Sequence, residues 1–275
     1  MNLMKKIVIY WKWGIWKSTT ATHLAVSFAK KWLKVLQVGC DPKHDSCKRI
    51  LNWVKDIPTV IEMSKNRDIF DFTKDMIVHK WRFWIDCIEA WWPIAWLWCA
   101  GRWISLMFEI FEEIELLDES NYDVVIFDVL GDVVCWGFAS PLKMWFADQV
   151  YIVMSEEIMS MYAANNISKA IVNYSRNWIW LSWIILNLRS NESDKKVVEE
   201  FSKKLWTEIV WIVPRSEWIL QAEKKNMTLF EFNENHKDLE VYKKLSDFIL
   251  KNEEKIIPIT FEDREFDDFI YDKFY

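Results

Sequence analysis

Short runs of β-branched and other apolar residues recur along the chain, each followed by a longer stretch in which apolar positions return every three or four residues. KIVIY (6–10) is the first run; a helical pattern from about Ser18 to Lys31 follows, then KVLQVGC (34–40). Two such strands joined by a helix read as a βαβ unit. Further strands are predicted at Ile85–Glu89, DVVIFD (123–128), QVYIVMS (149–155), LSWIILNL (181–188) and EIVWIVP (208–214). Helices are predicted over 102–117, 157–174, 192–204 and 237–251. The alternation predicts an α/β fold: a doubly wound, mostly parallel sheet with helices on both faces. No internal repeat or low-complexity linker interrupts the 275 residues, so one domain over 1–275 is expected.

Charge narrows the partners. The chain carries 35 basic and 41 acidic residues, a net charge of −6, which leaves no basic surplus to neutralise a phosphate backbone; no nucleic acid is expected. The opening MNLMKKIVIYWK lacks the apolar core of a signal peptide, and no apolar run reaches the ~18 residues that span a bilayer. The stretch from about Glu253, rich in Asp, Glu and aromatics, is too acidic for a membrane-targeting helix. A cytoplasmic protein without a membrane partner is expected. In that reducing setting the five cysteines (Cys40, Cys47, Cys87, Cys99 and Cys135) are metal ligands, reactive groups or small core residues rather than disulfides.

The strongest chemical signal follows the first strand. In YWKWGIWKSTT (10–20), Lys17, Ser18 and Thr19 open a helix where a phosphate-binding loop places its lysine and its Mg²⁺-binding hydroxyl. Backbone N–H groups there cradle phosphates, which requires glycine wherever the backbone approaches closely or takes positive φ. Trp11, Trp13 and Trp16 occupy those places and Gly14 alone remains, beside Ile15. With Trp read as Gly, the segment resembles KGGxGKS, the deviant Walker A of the superfamily that holds nitrogenase iron proteins and partition ATPases. That resemblance implies that Lys12 reaches the partner subunit's nucleotide in an ATP-sandwich homodimer.

Four more stretches resemble the nitrogenase iron-protein family: GCDPKHDS (39–46), CIEAWWPIAWLWCAGRW (87–103), DVLGDVVCWGFASP (128–141) and MYAANNISKAIVNYS (161–175). The resemblance covers nearly the whole chain and implies a 4Fe–4S cluster held by Cys99 and Cys135. A cluster needs four thiolates; one chain offers two, and a symmetric dimer completes the set. By the same resemblance Cys40 and Cys87 are structural or near the nucleotide, whereas Cys47 stays unassigned. Asp128, at the end of an apolar strand, is the Walker B carboxylate that holds a water on Mg²⁺, with Ser18 as the hydroxyl ligand. The resemblance further implies that Asp41 and Lys43 form a switch, that Asp132 positions or activates the attacking water, and that Asp45 contributes through Mg²⁺-linked water. Asn187 and Arg215 match the adenine side, although Leu220 departs from the polar residue expected nearby. Arg102 matches the docking arginine, which some members modify with ADP-ribose.

The departures from the family pattern follow a rule. Family glycines appear as Trp91, Trp92, Trp96, Trp98, Trp103 and Trp136, and Trp32, Trp53, Trp145, Trp178 and Trp206 also fall where a turn or cap wants glycine. The chain has 20 Trp and 5 Gly, together about 9% of its residues, close to the ordinary ~7% glycine share. A gene that uses UGA for glycine, read as though UGA meant tryptophan, would give this pattern; a deliberate Gly-to-Trp variant is the runner-up, and a genuinely Trp-rich protein would have to strain bulky indoles at positive-φ turns.

The resemblance to nitrogenase iron proteins implies an ATP-dependent one-electron reductase with MgATP on each subunit and one cluster per dimer. A ferredoxin or flavodoxin would supply electrons and a larger cluster-containing catalytic protein would accept them, with nitrogenase as the foremost acceptor. A reductase serving a tetrapyrrole-reducing enzyme is the nearest alternative. A non-redox partition-type ATPase is the alternative from another class, opposed by Cys99, Cys135 and the acidic balance.

Overall fold

The computed structural model describes residues 4–11, 17–40, 46–48, 50–51, 57–80, 82–90, 100–130, 149–175 and 180–274. The central apolar runs become strands because they are buried on both faces: every residue of Val35–Gly39 and of Gln149–Met154 is buried, whereas the edge strand over Ile209–Val213 is half-buried. In chain order the elements are β1 (Lys5–Trp11), α1 (Lys17–Ala29), β2 (Val35–Gly39), α2 (Val60–Ser64), α3 (Lys74–Ile77), β3 (His79–Lys80), β4 (Asp86–Glu89), α4 (Ala100–Glu113) and β5 (Val124–Leu130). There follow β6 (Gln149–Met154), α5 (Ile158–Tyr174), β7 (Trp180–Asn187), α6 (Lys196–Lys204), β8 (Ile209–Val213), α7 (Glu217–Lys224), α8 (Leu229–Phe232), α9 (Leu239–Lys251) and α10 (Asp263–Phe274).

Among the described residues one sheet takes in eight strands in the order β3-β4-β2-β5-β1-β6-β7-β8, parallel throughout except for the short β3 against β4. The connection from β1 to β2 runs towards one end of the sheet, and those from β4 to β5, β6 to β7 and β7 to β8 run towards the other. Right-handed crossovers therefore put α1 on one face and α4, α5 and α6 on the opposite one. Contacts agree with this division. Ser27 of α1 meets Ser246 of α9, Oγ to Oγ 2.8 Å apart. On the other face Phe201 of α6 stacks on Phe261, and Phe266 and Phe269 of α10 join the same aromatic group.

The helices end where local chemistry stops them. The helix predicted over 102–117 ends at Glu113: Glu115 takes φ 50°, and the N–H groups of Glu115 and Leu116 donate to the carbonyls of Glu112 and Phe111. That reversed-hand closure satisfies carbonyls that the last turn would leave bare. The same closure ends α6 at Trp206 (φ 58°) and α7 at Asn226 (φ 56°). The helix predicted from 192 starts at Lys196, because side chains of Ser190 and Asp194 accept from the N–H groups of Glu192 and Lys196 and hold a turn there. The acidic C-terminal stretch forms α10, for which the apolar spacing Phe266, Phe269, Ile270 supplies a buried stripe.

Candidate nucleotide and cluster site

Parallel strands deliver their C-terminal ends to one edge of the sheet, where ligands of open α/β folds bind. Only five residues separate the end of β1 from the first turn of α1. Asp128 lies close to this edge, in register with Ile9 of β1 and Gly39 of β2, and its side chain is wholly buried. Its Oδ2 accepts a hydrogen bond from the Ser46 hydroxyl at 2.5 Å. Ser46 is itself held by Gln37 of β2, whose Nε2 donates to the Ser46 carbonyl at 3.0 Å and to its Oγ at 3.1 Å. The neighbouring Cys47 N–H donates to Oε1 of buried Glu89 at 2.6 Å. Three adjacent strand ends, from β2, β4 and β5, thus grip one dipeptide directly after the DPKHD segment.

Gly39 makes room for that grip. A Cβ at this position would lie 2.3 Å from Glu89 Oε2 and 2.7 Å from Ser46 Cβ, distances that no side chain can occupy. Cys40, Cys47 and Cys87 are all buried. Burial, then the hydrogen bond and charge interaction with Cys87, push the Cys47 thiol well above its ordinary pKa, so it stays protonated and unreactive.

A second group surrounds the first turn of α1. The Thr19 hydroxyl donates to Glu223 Oε1 at 2.8 Å, and Asn187, the last residue of β7, donates from Nδ2 to the Thr20 hydroxyl at 3.5 Å. The Nε2 of His23 accepts from the Leu229 N–H at 3.1 Å, so its Nδ1 carries the proton and donates to the Thr19 carbonyl at 2.7 Å. Neutral His23 therefore ties the first turn of α1 to the start of α8. Asn187 pairs with Val213 of β8, two residues before Arg215. Arg215 is exposed and bound to a neighbouring loop: its N–H donates to Asn191 Oδ1 at 2.9 Å and its guanidinium to the Arg189 carbonyl at 3.4 Å.

The sequence-derived candidates fall into three sets. Thr19, Asp128 and Asn187 stand at the C-terminal edge or the adjoining turn of α1, with Arg215 just beyond β8. Lys17 and Ser18 open α1 and Arg102 lies in the first turn of α4, with side chains outside the described part. Lys12, Gly14, Ile15, Asp41, Lys43, Asp45, Cys99, Asp132 and Cys135 lie outside the described residues. The segments bearing the two candidate cluster cysteines leave the same edge: 91–99 follows β4 and ends at α4, and 131–148 follows β5. Two thiols per chain suit a 4Fe–4S cluster shared by two chains. Hydroxyls, an amide and a buried carboxylate beside a helix N-terminus suit a magnesium nucleotide.

Sequence inspection missed Gln37, Ser46, Glu89 and Glu223. Gln37 and Glu89 carried a readable signal, because each is a polar residue inside an otherwise apolar strand run, where burial demands a partner. Glu223 lies on a helix some two hundred positions from Thr19, and no local spacing marks that contact.

Residues 5–274 match the family described as 4Fe-4S iron sulfur cluster binding proteins, NifH/frxC family. The nitrogenase iron protein of Methanospirillum hungatei is 37% identical over 265 residues, covering 95% of this chain and 93% of the relative. Nitrogenase iron protein 2 of Methanothermococcus thermolithotrophicus is 36% identical, covering 95% and 94%. Among solved structures, the MinC:MinD cell division complex of Aquifex aeolicus aligns with TM-score 0.69 at 17% identity, covering 92% of this chain and 98% of that one. A ParA family ATPase from Chlorobium tepidum aligns with TM-score 0.69 at 17% identity, covering 91% and 99%. These structures share the fold; the family is settled by the match along almost the entire length, and this chain belongs to the NifH/frxC family of 4Fe–4S iron–sulfur cluster binding proteins.

Proposed function

We propose that the chain is an ATP-dependent one-electron reductase of the nitrogenase-reductase type, working as a homodimer with one nucleotide per subunit and one 4Fe–4S cluster between subunits. The observation that carries this is the course of β5: it holds Asp128 buried beside Ser46 and leads, seven positions on, to Cys135. A carboxylate that responds to the γ-phosphate and a cluster ligand then share one short segment, so a shift at one end is transmitted to the other.

In this account Lys17, Ser18 and Thr19 take the phosphates and Mg²⁺, with Gly14, Ile15 and Lys12 completing the phosphate loop and the partner subunit's site. Asp128 holds a metal-bound water, Asp41 and Lys43 form the second switch with Asp45, and Asp132 orients the attacking water. Asn187, already at the first turn of α1, and Arg215 flank the adenine. Cys99 and Cys135 hold the cluster, which supplies the one-electron redox chemistry when bound, and Arg102 docks the catalytic protein. A ferredoxin or flavodoxin reduces the dimer. Relatives named nitrogenase iron proteins support nitrogenase as the acceptor. No helix among the described residues is long and apolar enough to cross a membrane.

Anaerobic preparations test the ligand assignment. Cys99→Ala and Cys135→Ala should each abolish the visible absorption and the reduced-state paramagnetic signal of the cluster, whereas Cys87→Ala should keep both. Retention of the cluster in either of the first two variants rejects the assignment.

A further inference from the structure

Three of the six described non-glycine residues at positive φ are tryptophans: Trp32 at 65°, Trp84 at 60° and Trp206 at 58°. Left-handed backbone is strained for any residue with a Cβ and free for glycine. Buried contacts could offset that strain, but these indoles are 95%, 83% and 70% exposed. Trp206 stands at the helix-ending position that glycine usually fills, its N–H donating to the Lys203 carbonyl and that of Thr207 to the Ser202 carbonyl. Trp32 follows α1, its N–H donating to the Ala29 carbonyl. Trp218 behaves differently: 43% exposed, it lies on α7 with its ring centroid 4.8 Å from that of His236 and 6.1 Å from that of Phe232, on ordinary helical backbone.

We infer that the polypeptide made in this protein's own cell carries glycine at 32, 84 and 206 and tryptophan at 218, its gene spelling glycine with UGA. The scarcity of glycine and the indoles in the phosphate loop have the same origin. The test combines codons with residue masses: the gene is sequenced, and the protein isolated from its own cell is digested and read by tandem mass spectrometry. UGA codons and glycine masses at 32, 84 and 206, with UGG and tryptophan at 218, are expected. Tryptophan at 32, 84 or 206 in that protein overturns the inference.

A separate observation concerns Ser46. Gln37 Nε2 donates to its Oγ, so the hydroxyl proton is directed to Asp128, while Thr22 of α1 and Gln37 both donate to the Ser46 carbonyl. The geometry points to Ser46 as a positioning residue for Asp128, holding the carboxylate in the orientation that receives Mg²⁺-bound water; this rests on the metal role proposed above for Asp128. A fluorescent ATP analogue is titrated onto the purified dimer, with increasing Mg²⁺ and in EDTA, for the unmutated protein, Ser46→Ala and Gln37→Met. Ser46→Ala should raise the Mg²⁺ concentration for half-maximal response about tenfold, the loss expected for one charge-assisted hydrogen bond, and leave binding in EDTA unchanged. Gln37→Met should shift it the same way by a smaller factor. An unshifted Mg²⁺ dependence in both variants overturns the positioning role, and an unmutated dimer without Mg²⁺-dependent binding overturns the reductase account beneath it.

Discussion

At position 39 the backbone of β2 passes so close to Glu89 and Ser46 that even a methyl group has no place. Gly39→Ala should therefore cost about 1–3 kcal/mol through forced displacement of neighbours, read as a lower denaturant midpoint with unchanged slope. Glu156 offers a pH test. Partial burial raises its pKa, but the Ser193 hydroxyl and the N–H groups of Arg189 and Ser190 outweigh that and leave it below the ordinary value. A depressed carboxylate favours the fold while ionised: its contribution is present above the unfolded pKa of about 4.3 and is lost as pH falls through the lower folded value. Glu156→Gln should flatten the acid limb of a stability profile between about pH 6 and pH 3; an unaltered limb contradicts the assignment. At this scale the sequence was legible in position: Asp128 and Asn187, each read at the end of an apolar run, stand near the C-terminal ends of β5 and β7. It was illegible where a contact joins distant segments, as at Glu223, since a hydrogen bond between α1 and α7 leaves no periodic trace.

Strands were easier to place than helix ends. An apolar run such as QVYIVM has one physical outcome in a sheet covered on both faces, whereas a helix stops where one residue can turn left-handed and cap the last carbonyls. Glu115 does this without the usual glycine or asparagine, so the helical period of 102–117 overran its end. The start of α7 shows the opposite case: Ser216 accepts from the Ile219 N–H at 3.3 Å, as a serine before a helix should. Ser216→Ala should destabilise the protein by about 1 kcal/mol, measured by equilibrium denaturation, and Ser216→Asp should restore most of the loss. The helix α10 was missed because charge dominates its composition, although its three buried apolar residues repeat at helical spacing.

At the scale of the whole molecule, the described candidate residues gather on one sheet edge. Parallel strands bring Asp128, Gly39, Glu89 and Asn187 there, and the segments carrying Cys99 and Cys135 depart from β4 and β5 on either side of β2. The buried Ser46–Asp128 contact joins the segment after β2 to the strand that precedes Cys135 in sequence, and the proposed function uses this contact to couple the nucleotide to the cluster ligand. That linkage makes the central claim measurable: iron removal by a chelator from the anaerobic dimer, made with the residues its own cell incorporates, followed with and without MgATP. The account predicts about four irons per dimer, slow removal without nucleotide and much faster removal with MgATP. A dimer that binds MgATP yet holds no iron, or releases iron at the same rate in both conditions, contradicts it.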